Sequence, residues 1–92
     1  MAHTQLELMK RELTKVEDQL AEACLAKRAK RREIDEVIER IDAESGAARA
    51  GDQSLLIRLE EEYDVIETQE LELADRMREL RERISEALAA GQ

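Results

Sequence analysis

The sequence predicts an all-α fold: an antiparallel two-helix coiled-coil hairpin that dimerises into a four-helix bundle. Three observations carry this. The apolar residues fall in two long runs of alternating three- and four-residue spacing, one glycine-bearing stretch separates the runs, and each run interrupts its apolar pattern with charges opposite in sign to the other's. The bulk composition agrees, since 41% charged residues, 42% apolar, 1% aromatic and no proline describe long helices rather than a compact mixed core.

In the first run, Leu6, Met9, Leu13, Val16, Leu20, Ala23, Lys27, Lys30, Ile34, Val37 and Ile41 keep the heptad spacing without a break. In the second, Leu56, Leu59, Tyr63, Ile66, Glu70, Leu73, Met77, Leu80, Ile84 and Ala87 do the same. Between them lies SGAARAGDQS, residues 45–54. There Gly46 and Gly51 are able to take the positive φ that ends a helix, and Asp52 or Ser54 to cap the next one. The spacing therefore predicts one domain over residues 1–92, with a helix over about 4–45, a turn over about 46–53 and a helix over about 54–90. Each helix of roughly 40 residues is about 60 Å long at 1.5 Å per residue.

The interruptions suggest how the helices pair. Lys27 and Lys30 occupy seam positions in the first helix and Glu70 in the second. A turn centred near Ala50 sets Lys30 level with Glu70, Ile34 with Ile66, Val37 with Tyr63, Ile41 with Leu59, Leu20 with Leu80 and Val16 with Ile84. Lys27 then lies beside Leu73, one turn from Glu70, so Lys30, Glu70 and Lys27 form a buried charged group. On the flanks, Arg31 faces Glu67, Glu17 faces Arg81, Arg40 faces Glu62, and the small Cys24 faces Ala74. Residues 27–32 hold five basic groups and no acid, and residues 60–72 hold seven acids and no base. A parallel, in-register pairing of two chains would instead stack Lys27 on Lys27 and Glu70 on Glu70. The basic stretch LAKRAKRR thus reads first as the complement of the second helix. Its outward-pointing Arg28 and Arg32 are a candidate spot for an acidic partner.

Function is bounded mainly by exclusion. A net charge of −8 argues against direct binding of nucleic acid or an anionic membrane. No apolar run nears the roughly 20 residues that span a bilayer, and MAHTQLELMK lacks the apolar core of a signal peptide. One cysteine, Cys24, cannot form an internal disulfide, which fits a cytoplasmic protein. The lone histidine, His3, cannot build the paired Glu-x-x-His ligands of a helical-bundle metal site, and SGAARAG lacks the Gly-Lys-Ser/Thr ending of a phosphate loop. The expectation is a protein without cofactor or metal and without enzymatic activity: an adaptor, scaffold or small chaperone-like subunit that binds a protein partner and itself. Leu8, Leu25, Ile38, Ile57, Val65 and Leu71 lie off the main seam and are the candidate partner contacts, with Arg28 and Arg32.

Two stretches also resemble known families. EEYDVIETQELELADRMRELRERISEA, residues 61–87, resembles the second helix of the coiled-coil domain of bacterial Gre-type transcript-cleavage factors. That resemblance implies a regulator that inserts its turn into the RNA polymerase secondary channel, or into another large enzyme, with acids at its tip. Here the acidic tip is represented by Gly51-Asp52, with Leu55 where a second acid would stand, so Asp52 is the alternative tip site. ARAGDQSLLIRLEEEY is similar to the turn of the small helical flagellar and type III export chaperones.

Overall fold

Two helices packed against each other account for the described chain except Glu44, Ser45 and Ala90. The structure, a computed structural model, describes residues 2–90, with side chains from residue 4 onward, so the side chain of His3 lies outside the described residues. Helix α1 spans Ala2–Ala43 and helix α2 spans Gly46–Ala89. They run antiparallel, because Arg40 meets Asp52 next to the reversal while Glu12 meets Arg76 and Glu17 meets Arg81 towards the other end. The hairpin measures 68 × 16 × 14 Å. No strand occurs among the described residues.

The reversal is much tighter than the expected turn over residues 46–53. Glu44 donates its N–H to the Ile41 carbonyl at 3.4 Å, Ser45 is extended at φ −145° and ψ 166°, and Gly46 takes φ +66°. That left-handed φ is cheap only for glycine, and it lets the chain fold back in two residues. From Gly46 onward the chain is helical, so Gly51, Asp52 and Ser54 lie inside α2 and cap nothing. Ser54 Oγ instead donates to the Ala50 carbonyl, the back-bond of a residue already within a helix. The reason is propensity: Ala47, Ala48, Arg49 and Ala50 are strong helix formers, and nothing in that tetrapeptide opposes a helix.

A shorter turn changes the register. Glu70 meets Lys27 and Cys24, not Lys30, and Lys30 meets Glu62. Arg40 reaches Asp52 rather than Glu62, and Arg31 pairs with Asp35 on its own helix rather than with Glu67. These contacts set Ala23 about level with Glu70, Lys30 with Tyr63, Ile34 with Leu59 and Val37 with Leu56, one heptad from the expected register. Both seams survive the slip because their pattern repeats every heptad. Glu17 and Arg81 pair as expected, at 3.2 Å, because a flanking residue lies between two flanking residues of the facing helix and can reach either.

The core is concentrated near the turn, where Ile34, Val37, Ile41 and Leu59 are buried together with Leu55, Leu56 and Tyr63 against them. Leu6, Val16 and Leu80 are buried farther along, Leu80 completely. Between these zones the seam carries Ala23, Cys24, Lys27, Lys30 and Glu70 beside Leu20, Ile66 and Leu73, none of them fully buried. The hairpin therefore has two apolar ends and a polar waist.

Candidate interaction surface

At the waist, charges are paired but remain wet. Lys27 Nζ donates to Glu70 Oε1 at 2.7 Å, and the Cys24 thiol donates to Glu70 Oε2 at 3.1 Å. The Lys27 and Glu70 side chains keep 28% and 17% of their exposure, so the expected buried charged group is a half-exposed one. The hydrogen bond from Lys27, and then that from Cys24, hold the Glu70 carboxyl below the usual glutamate range. The same bond raises Lys27, and donation to Glu70 raises the Cys24 thiol, which keeps it protonated and a poor nucleophile. Lys30 Nζ lies 2.9 Å from Glu62 and 3.7 Å from Glu33, and the bond to Glu62 raises it. These groups satisfy one another across the waist, which is a structural task.

At the turn end, Arg40 grips Asp52 through Nε and Nη2, both at 3.2 Å. Asp52 is therefore not a tip residue. It lies in α2 beyond the reversal, its side chain is 18% exposed, and hydrogen bonding to Arg40 holds its carboxyl below the usual range. Beside it, Glu44 Oε2 is out of solvent with no donor facing it. Two ionised carboxylates cannot bond each other, whereas a protonated Glu44 can donate to Asp52; that bond, with burial adding to the effect, raises the Glu44 carboxyl above the usual range. Sequence reasoning missed this pair because it placed Asp52 in the turn. The helix-forming residues 47–50 were the signal that Asp52 belongs to a helix facing α1.

The outer surface carries the apolar residues that the seam does not use. Leu8, Leu25, Ile57, Val65 and Leu71 are 56–63% exposed and Ile38 is 39% exposed; Leu88, which sequence reasoning did not single out, is 49% exposed. Arg28 and Arg32 are exposed and make no ion pair among the described residues. These residues do not form one patch. Cys24, Arg31 and Ile38 follow Glu17 along α1 at heptad steps, and Glu60, Glu67, Ala74 and Leu88 stand at heptad steps from Arg81 on α2. The Glu17–Arg81 pair thus marks one side of the hairpin, which also takes in Ala21, Arg28, Ile57, Asp64 and Leu71, three residues before those positions. The opposite side is marked by the Glu12–Arg76 pair and carries Leu8 and Val65, while Leu25 and Arg32 point directly away from the seam. Among the described residues no group of three or more His, Cys, Asp or Glu is arranged to hold a metal ion, and no helix is long and apolar enough to cross a membrane. No protein-family model, curated protein or solved structure matches the chain.

Proposed function

We propose that the chain is a non-enzymatic protein-interaction module of the cytoplasm, an adaptor- or scaffold-like hairpin that works by packing its outer helix faces on other helices and that pairs with itself to make a four-helix bundle. The observation that carries this reading is surface that the elongated hairpin leaves uncovered, with large apolar residues exposed on it. The hairpin exposes 6701 Å². A compact folded monomer of 10.6 kDa exposes about 5,500 Å². The excess of about 1,200 Å² exceeds the roughly 800 Å² that each partner buries in an interface of ordinary size. Ile57, Leu71 and Leu88 are among the large apolar residues exposed on that surface. The polar waist supports the same reading, because its charges are consumed by pairing and leave no group poised for chemistry. Insertion of an acidic tip gains no support from Asp52, which Arg40 holds against the side of the hairpin.

Sedimentation equilibrium of the full chain under reducing conditions tests the proposal. The expected mass at high micromolar concentration is twice 10.6 kDa. A mass of 10.6 kDa from a cooperatively folded chain contradicts self-pairing.

A further inference from the structure

Resting on the reading of the hairpin as a protein-interaction module, we propose that an open furrow beside the waist docks a partner helix that inserts an arginine or lysine into it. The furrow lies on the side marked by the Glu12–Arg76 pair. Its volume is about 450 Å³, and it is lined by Glu22, Ala23 and Ala26 of α1 and by Glu72 and Leu73 of α2, with one glutamine from each helix. The sequence explains why it exists. Ala23 on the seam and Ala26 on its flank are too small to fill the space against α2, so Leu73 stays half-buried on the floor.

The occupant follows from charge. Ala23 is about level with Glu70, which puts Glu22 and Glu72 at nearly the same height on the two rims. Both are exposed, and neither has an ion-pair partner among the described residues. The nearby bases are engaged elsewhere: Lys27 on Glu70, Lys30 on Glu62, and Arg76 on Glu12 and Glu79. A helix that covers the furrow takes water from both carboxylates, and an apolar one leaves them without a counter-charge, which is costly. A basic side chain supplies that charge, while its aliphatic stem covers Ala23, Ala26 and Leu73. Arginine fits best, because its planar fork bonds a carboxylate on either side. A second, shallower furrow of about 260 Å³ continues along α2, shares Glu72 with the first and is lined by Val65 and Thr68. Val65 is 58% exposed. It stands one heptad from Glu72, about 10 Å along the axis. A partner helix lying along the hairpin therefore brings a base and, seven positions away, an apolar residue, one to each furrow.

Titration of the isotope-labelled full chain with a synthetic peptide, followed by its amide signals, tests the inference. The probe is a capped, alanine-rich helix with an arginine and a leucine seven residues apart on one face, and its twin carries glutamate in place of the arginine. The arginine peptide is expected to shift the signals of Glu22, Ala23, Ala26, Glu72 and Leu73, and the twin to bind at least about tenfold more weakly. E22Q/E72Q is expected to weaken binding about tenfold, whereas E60Q/E67Q, which removes the same charge from the opposite side, leaves it within about twofold. A26L fills the furrow from an exposed helix position and is expected to weaken binding about tenfold, with circular dichroism melts confirming that every variant is folded. Shifts spread over both sides of the hairpin, an equal loss from the two glutamine pairs, or full binding by A26L overturns the docking site. A chain that self-pairs by sedimentation yet takes up no arginine peptide loses this inference alone. A folded monomer that binds the peptide at the furrow contradicts self-pairing and leaves the docking site standing.

Discussion

Replacing each turn-region glycine by alanine has opposite consequences, and the difference locates the reversal. Gly46 sits at φ +66° with nothing within 4 Å of where a Cβ would stand, so the effect of Gly46→Ala is purely conformational. A left-handed φ costs a non-glycine residue about 1–2 kcal/mol, and the stiffer unfolded chain returns about 0.4–1 kcal/mol. The net loss is about 1 kcal/mol, which for a domain of this size lowers the melting temperature by about 4–8 °C. Gly51 also has open space around its Cβ position, but it lies within α2 with no positive φ. Gly51→Ala therefore gains about 0.5–1 kcal/mol from helix propensity and chain stiffening. Thermal melts by circular dichroism at one matched protein concentration read both changes. A Gly51→Ala variant less stable than wild type, or a Gly46→Ala variant equal to it, refutes the two-residue reversal and restores a turn over residues 46–53.

The waist provides a second test: in double-mutant cycles to leucine, Lys27 and Glu70 couple, whereas Lys30 and Glu70 add independently, and the opposite pattern restores the longer register. Leu80→Ala, which empties the most buried side-chain position, costs about 2–3 kcal/mol in chemical denaturation, the low end of the usual range because a two-helix seam can close over the gap. A cost near zero shows that Leu80 is not in the core. Glu44→Gln stabilises the protein at neutral pH, because the amide donates to Asp52 where the carboxylate cannot. The sign with pH follows from the raised Glu44 carboxyl: its stabilising proton is bound below the usual glutamate range near pH 4.3 and lost as pH rises through the higher folded value, so the advantage of Gln fades on acidification. Glu62, Glu70 and Asp52 act oppositely, since their lowered carboxyls stabilise the fold above the usual range and that contribution is lost as pH falls through their folded values. An advantage of Gln that grows on acidification contradicts the assignment.

Much of this fold was legible in the sequence because the apolar spacing from Leu6 to Ile41 and from Leu56 to Ala87 admits only helices with a narrow seam. The surface positions of Leu8, Leu25, Ile57, Val65 and Leu71 could likewise be read from their departure from that spacing. Register was not legible, for a specific reason. A heptad pattern is unchanged by a slip of one heptad, so Ile34 faces an apolar layer whether its neighbour is Ile66 or Leu59. Only the turn breaks the degeneracy, and two glycines competed for it. Helix propensity at Ala47–Ala50 extends α2 back to Gly46, and the partners of Lys27, Lys30, Arg40 and Asp52 follow from that choice. Glu70 alone could not decide, since a lysine lies within reach in either register.

Nuclear Overhauser contacts between the methyl groups of selectively labelled Ile, Leu and Val side chains read the register most directly. Ile34 and Leu59 share the buried cluster at the turn end, and Leu56 packs against it. The observed register predicts strong Ile34–Leu59 and Val37–Leu56 cross-peaks and none between Ile34 and Ile66. Cross-peaks from Ile34 to Ile66 without any to Leu59 contradict the two-residue reversal.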